Sequence, residues 1–455
     1  MELKEEQFAV LKEQFKTLKD RSPFYAKKFE GIDLSDVQTQ ADFEALPFSE
    51  KADLRDAYPL GLAAVPESEI VRIHSSSGTT GTPVIIPYTQ QDVIDWAMQF
   101  ARCYEMAGIT KDDRIQITPG YGLWTAGIGF QLGAERLGAM AVPMGPGNTD
   151  KQIRFMKDMQ STVLCATSSY ALLLAEEIAK RGVRDELNLK RAVIGSERWG
   201  HKMRQRIANE LGVKIYDIYG LTEVYGPGIG VSCDYECGMH VWDDYCYFEI
   251  VDPKTGKVLP DGEIGELVIT TLRKEGAPLV RYRTHDLSRI IPGECECGSP
   301  FPRIDTLIGR TDDMVKVKGV NIFPAQIEEI IKFTDGASSE YQVMIDHLEG
   351  KDIMTVFFET DASVEDREQI ERNMESIFKG KLGMTPNAKA VAIGELPRSE
   401  KKTQRILFRS DILPETKLLL PLFFFCVRGF PCPEVAVSQE VPAQKYIQDN
   451  CHNNL

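Results

Sequence analysis

The run Ser75-Ser76-Ser77-Gly78-Thr79-Thr80-Gly81-Thr82-Pro83 carries hydroxyl side chains around two glycines. Glycine lets a backbone turn back and aim several N–H groups at one point, and hydroxyls add donors. Such a loop can grip an anion as large as a triphosphate. No Gly-Lys-Ser/Thr stands at the Walker spacing, so this is a different kind of phosphate loop. Val71-Arg72-Ile73 and Val84-Ile85-Ile86 flank it with β-rich sequence, which argues against a flexible linker.

Three further clusters carry complementary chemistry. Tyr216-Asp217-Ile218-Tyr219-Gly220-Leu221-Thr222-Glu223 supplies an aromatic that can stack on a base, a hydroxyl for a phosphate and a carboxylate for Mg²⁺. Arg281-Tyr282-Arg283-Thr284-His285-Asp286 ends in a carboxylate able to take both hydroxyls of a ribose. Gly309-Arg310-Thr311-Asp312-Asp313 lies where the β-rich texture gives way to a smaller segment, and reads as a junction.

Two groups of soft ligands stand apart from these. Cys233-x3-Cys237 with His240, and Cys295-Glu296-Cys297-Gly298, suit a closed tetrahedral Zn²⁺ site of structural type. Five donors compete for four positions, and spacing leaves the choice open. Pro119-Gly120-Tyr121-Gly122-Leu123-Trp124-Thr125-Ala126-Gly127 mixes aromatics with small residues, which suits a flat apolar group seated against Tyr121, Trp124, Ala126 and Gly127.

The order Ser/Thr/Gly loop, Tyr-Gly-x-Thr-Glu, Tyr-Arg-Thr-x-Asp, Gly-Arg-x-Asp-Asp resembles the adenylate-forming acyl-CoA ligase superfamily. Asp217 to Gly228 and Lys318-Gly319-Val320-Asn321-Ile322-Phe323-Pro324 resemble its phenylacetate–CoA ligase branch. The likeness runs from the N-terminal helix to about Arg405. It implies an ATP-dependent, AMP-forming ligase that makes an acyl-adenylate from a phenylacetate-like acid and passes the acyl group to CoA. An alternative within the branch is adenylylation of a deazaflavin-type cofactor. A degraded, non-catalytic nucleotide binder is disfavoured by the presence of Glu223, Asp286, Arg310 and Lys402.

The resemblance also implies roles. Ser75, Ser76, Ser77, Gly78, Thr79, Thr80 and Gly81 would hold the β- and γ-phosphates of ATP. Gly195, Ser196, Glu197 and Asp217 would line the adenine, with Tyr219 and Gly220 against it. Thr222 would meet the α-phosphate and Glu223 would hold Mg²⁺. Asp286 would take the ribose, Arg310 ribose or phosphate, and Asp312 would be the hinge of a mobile small domain. Lys402, in Leu396-Pro397-Arg398-Ser399-Glu400-Lys401-Lys402-Thr403-Gln404-Arg405, would be the catalytic lysine. Thr82 stands where many relatives carry Lys, and Lys401 where they usually carry Gly; the alignment of Pro397 and Arg405 favours Lys402.

These residues need a scaffold. Short β-rich runs alternating with helices of 10 to 15 residues from Ile70 onward predict an α/β fold. The expectation is a large N-terminal domain over 1–309, with mixed or parallel sheets flanked by helices and a small antiparallel, barrel-like region from about Tyr245. A small mobile α+β domain over 310–410 follows. The tail, 411–455, begins near the apolar run Leu418 to Phe425 and is expected to be disordered.

Composition agrees with an enzyme of this kind. Sixty-eight acidic against 53 basic residues give a net charge of -15, which disfavours nucleic acid as a partner. No apolar run is long enough to span a membrane, and Met1 to Asp20 is too charged for a secretory signal. With ten cysteines and no such signal, a disulfide framework is not expected. A cytoplasmic enzyme, with a homodimer as an option from the resemblance, is the expectation.

Overall fold

The computed structural model describes residues 2–76, 82–197, 199–313, 315–317, 320–348, 351–398 and 405–408. Ser77 to Gly81 of the phosphate loop, Lys401, Lys402 and the tail 411–455 lie outside the described residues. Met1–Ile406 forms one compact unit.

A nine-stranded sheet carries the large part of the fold. Its order is Ile290–Ile291, Arg303–Ile304, Met239–Val241, Gly226–Ser232, Lys214–Leu221, Arg191–Gly195, Val163–Thr167, Arg114–Ile117 and Met140–Pro143. The last five of these run parallel to one another, and the hairpin Lys214–Leu221/Gly226–Ser232 starts the antiparallel part. Parallel strands need crossover connections and cover on both faces. Gln90–Met106, Thr125–Leu137, Thr149–Asp158, Ser168–Arg181 and His201–Leu211 supply the helices. Local sequence marks their ends. Thr89 accepts from the Asp92 N–H in a capping box, and Gly138 closes Thr125–Leu137 in the left-handed conformation.

Two apolar cores fill the faces of this sheet, one around Trp96, Phe100, Tyr104 and Trp242, the other around Tyr170, Leu174, Ile194 and Ile207. The N-terminal helices bury Leu11, Phe15 and Leu18 with Tyr25 and Phe43 in a separate cluster against Tyr247 and Val280. Glu5–Arg21 is thus an amphipathic helix, its apolar residues recurring three and four apart.

The expected barrel does not close. Cys246–Val251, Gly265–Thr271, Tyr282–Ser288 and Gly309–Arg310 form an open four-stranded antiparallel sheet. Its outer strands are not paired with each other, and two residues of Gly309–Arg310 cannot wrap the sheet round.

Beyond it, the hairpin Val315–Val317/Val320–Ile322 leads to helix Pro324–Phe333. Tyr341–Leu348 and Lys351–Thr360 pair antiparallel, Asn387–Ala392 joins the latter in parallel, and Val364–Leu382 packs across. This α+β part has its own core of Ile327, Ile331, Val343, Val356, Phe358, Met374 and Phe378.

Candidate functional site

In open α/β sheets, ligands meet the carboxyl ends of the parallel strands. Three of the sequence clusters lie there. Arg191–Gly195 ends at Ser196-Glu197, Lys214–Leu221 at Thr222-Glu223, and Arg114–Ile117 feeds the segment 118–127. Gly195 and Gly220 are required by close approach. A Cβ on Gly195 would stand 2.4 Å from the Ile218 carbonyl oxygen, and one on Gly220 2.0 Å from that of Gly226.

Asp286 is the meeting point of three motifs. Tyr219 donates its phenol to Asp286 Oδ2 at 2.7 Å, and Arg310 donates to Oδ1 at 3.0 Å. Arg310 also grips Asp312 with two parallel bonds of 2.8 Å. Strand pairing fixes this geometry, since Asp286 lies opposite Arg310 in the four-stranded sheet. Burial raises the Asp286 pKa, while Arg310 and Tyr219 oppose that rise. Burial, with the carboxylate beside it, pushes the Tyr219 phenol well above its ordinary value, so it stays a donor.

Glu223 is buried, and its Oε1 faces Lys51 Nζ at 2.9 Å. The pair is poorly aligned, and Oε1 accepts no hydrogen bond. An incompletely satisfied buried carboxylate fits a hard cation such as Mg²⁺. Thr222 Oγ1 lies 3.2 Å from Thr125 Oγ1 at the start of helix Thr125–Leu137, tying the acyl segment to the second motif.

The residues expected to line adenine are engaged within the protein. Asp217 accepts from Trp199 Nε1 at 2.6 Å and from Arg204 at 2.8 Å. Glu197 accepts from Ser168 Oγ and from the Ser169 N–H, at the first turn of helix Ser168–Arg181. Ser196 adopts a left-handed φ of 70°, which aims the chain sharply off its strand.

The segment expected to seat an acyl group packs on the strand that precedes the Ser/Thr/Gly loop. Ser75 donates its N–H to the Leu123 carbonyl at 2.9 Å, and His74 Nδ1 lies 3.2 Å from the same oxygen. Ser75 and Ser76 are buried. Gly127 is pressed against Gly120 and the Tyr121 ring, both 2.7 Å from where its Cβ would be. The Tyr121 hydroxyl is buried without a hydrogen bond, Ala126 is half-buried and Trp124 is exposed.

The thiols gather as their spacing suggested. Donor atoms of Cys233, His240, Cys295 and Cys297 all lie within 4.8 Å of one another. Cys233 and Cys295 sulfurs are 3.7 Å apart, and Cys297 Sγ is 3.2 Å from His240 Nε2. His240 Nδ1 contacts the Phe301 carbonyl at 2.9 Å, the usual second partner of a ligating imidazole. Cys237 joins from the side, 3.1 Å from Cys295 Sγ and 4.0 Å from Cys233 Sγ.

Sequence reasoning passed over Lys51 and Arg204, which stand in no recognisable run and reach the site from sequence-distant elements. It gave no role to His74, next to the Ser/Thr/Gly loop, or to Thr125, inside the run Pro119 to Gly127. Among the described residues, no helix is long and apolar enough to cross a membrane.

Comparison with known proteins bears on all of this. The model of AMP-binding enzymes matches residues 13–272, and that of the AMP-binding enzyme C-terminal domain matches 319–409. The phenylacetate–coenzyme A ligase of Pseudomonas putida is 40% identical over 409 residues, 88% of this chain and 92% of that protein. The enzyme of the same name from Escherichia coli K12 is 40% identical over 423 residues, covering 90% and 96%. A solved 2-hydroxyisobutyryl-CoA ligase, 26% identical, superposes with a TM-score of 0.81 over 92% of this chain and 91% of its own in the postadenylation state, with its acyl-AMP bound. The same ligase in its thioesterification state, with acyl-AMP and CoA, covers 92% of each chain and gives 0.65.

Proposed function

The chain belongs to the AMP-binding enzyme family, in its phenylacetate–coenzyme A ligase branch, and from that premise we propose that it joins a phenylacetate-like aromatic acid to CoA through an acyl-adenylate. ATP is consumed and AMP and pyrophosphate are released. The convergence of Tyr219, Asp286 and Arg310 beside Thr222 and Glu223 is the observation that carries this reading.

The chemistry follows from charge. A carboxylate must attack an α-phosphate, two anions brought together, while pyrophosphate leaves. Fixed donors and cations lower that barrier. Asp286 orients the ribose, held in place by Tyr219 and Arg310. Thr222 donates to the α-phosphate, its position set through Thr125. Mg²⁺ held by Glu223 would supply positive charge at the phosphates. Tyr121, Trp124, Ala126 and Gly127 seat the acid's apolar part. Asp217 stays on the adenine side, fixed by Trp199 and Arg204. Lys402 is assigned the role of catalytic cation in adenylation, and Asp312 that of the hinge between the 1–309 and 310–410 domains. Because Arg310 holds Asp312 with two bonds, hinge motion must be absorbed beside that pair.

Cys233, His240, Cys295 and Cys297 are assigned as a structural zinc site, with Cys237 as a spare thiol beside it. The donor chemistry and spacing support this assignment. Asp217 N–H donates to Ser232 Oγ, one residue before Cys233, so a metal there would stiffen the adenine side.

ATP–pyrophosphate exchange measured across a panel of aromatic acids without CoA tests the reading. Exchange dependent on an arylacetic acid, and thioester once CoA is added, is expected. Exchange with no acid in the panel refutes it, and exchange without any thioester refutes the CoA half.

A further inference from the structure

Lys51 reaches the site from outside the motifs that the sequence offers. It stands at the first turn of helix Lys51–Asp56, where the Asp53 carboxylate accepts from the Glu50 N–H at 3.0 Å and fixes the N-terminus. The segment before the helix is bolted to the Tyr-Arg-Thr motif. Ser49 donates its N–H to the Arg281 carbonyl at 3.1 Å, and Arg283 donates its own to the Ser49 carbonyl at 2.9 Å. Ser49 Oγ donates to the Val280 carbonyl, and Arg281 reaches back to the Leu46 carbonyl, both at 3.0 Å. A rigid mount of this kind delivers one ammonium to Glu223.

Three observations say what that ammonium is for. Its partner is a buried carboxylate, whereas the Lys51 side chain remains 37% exposed and can be approached from solvent. The two are in ionic contact without an aligned hydrogen bond, so no directional bond ties Lys51 to Glu223, and a cation taking its place at Glu223 would leave Lys51 free to move. Finally, Ser75 to Pro83 contains no cationic side chain, so that loop itself would bring only hydroxyls and N–H groups to the triphosphate.

We propose that Lys51 is a second catalytic cation of the adenylation step, one that moves from Glu223 to the pyrophosphate leaving group as Mg–ATP arrives. The inference rests on the ligase reading given above. In that step a carboxylate oxygen forms a bond to the α-phosphorus while the bond from phosphorus to the bridging oxygen breaks. The electron pair stays on the departing pyrophosphate, whose charge rises as it leaves. A lysine ammonium beside those oxygens stabilises the transition state more than the ground state, which is the condition for raising the rate. Thioester formation has no pyrophosphate to stabilise, so it does not need Lys51.

The two half-reactions separate this role from a structural one. ATP–pyrophosphate exchange with the acid reads adenylation, and thioester formation from supplied synthetic acyl-adenylate and CoA reads the second half. Lys51→Met is expected to lower exchange by about a hundredfold or more, in line with loss of one transition-state donor. Thioester formation should stay within about threefold, and Lys51→Arg should recover part of the exchange. Exchange by Lys51→Met within about threefold of the unsubstituted enzyme overturns the proposal. So does an equal fall in both half-reactions, the mark of a residue that merely holds Glu223 or the fold. Exchange by the unsubstituted enzyme is read separately: its absence counts against the ligase reading itself, not against Lys51 alone.

Discussion

Tyr219 donates a hydrogen bond from its phenol to Asp286 at 2.7 Å, joining the central strand of the nine-stranded sheet to the middle of a strand in the four-stranded one. The bond couples the residue assigned to the adenine with the one assigned to the ribose. Tyr219→Phe keeps the ring and removes the bond. KM for ATP should rise about three- to tenfold, the worth of one net hydrogen bond, with little change in kcat. Titration of initial rates against ATP checks this.

Arg281 and Glu249 form a buried ion pair, 2% and 0% exposed at their side chains, at 2.9 Å. Desolvation raises the Glu249 pKa and the Arg281 charge opposes the rise. Arg281 also holds the Leu46 carbonyl, so the pair braces the segment that carries Lys51. Glu249→Gln leaves a buried guanidinium without its counter-charge. The expected loss of stability is about 3–5 kcal/mol, read from urea unfolding midpoints.

The thiol cluster makes a stoichiometric prediction. Protein purified without chelator should hold one zinc per chain by elemental analysis. Cys295→Ser should lose the metal, because its sulfur is one of the four gathered donors, 3.7 Å from that of Cys233. Cys237→Ser should retain it. Strong chelation should lower the Tm, since binding energy at a structural zinc site is folding energy.

Lys274 lies wholly buried between the rings of Tyr88 and Tyr225, with no hydrogen-bond partner for its ammonium. Burial lowers its pKa from 10.5 to about 7, partly offset by Asp92. The folded pKa lies below the unfolded one, so between pH 7 and 10.5 the unfolded chain binds more protons. Stability should therefore climb with pH across that window. The cost of Lys274 is largest below pH 7, about 5 kcal/mol. Lys274→Met should raise the Tm at pH 7, and the gain should shrink toward pH 10.

Much of this architecture was legible because the residues assigned to the chemistry sit in short runs at strand ends. Thr222 and Glu223 follow a strand, and Asp286 and Arg310 lie on paired strands, so each motif announced its own position. The thiols were legible for a similar reason, as two tight spacings flanking one antiparallel region. Lys51 was not legible, nor was the contact of Thr125 with Thr222, because the partners are distant in sequence and only the folded chain brings them together. The barrel was overread: strand–turn–strand texture reports antiparallel pairing but says nothing of whether the outer strands meet. The arrangement of the C-terminal part was also beyond the sequence. It depends on cross-contacts such as Lys202 Nζ to the Thr334 and Ala337 carbonyls and Arg398 to Glu176. With those contacts made, the chain superposes better on the postadenylation form of 2-hydroxyisobutyryl-CoA ligase than on its thioesterification form.

The central claim is that the carboxylate itself attacks the α-phosphorus of ATP. A single turnover with an arylacetate labelled with heavy oxygen in both carboxylate positions, run with ATP, Mg²⁺ and CoA, tests it directly by mass spectrometry of the nucleotide product. The account predicts AMP carrying one labelled oxygen, in amount equal to the thioester formed. Label in inorganic phosphate with ADP as the nucleotide product, or unlabelled AMP alongside thioester, would contradict it.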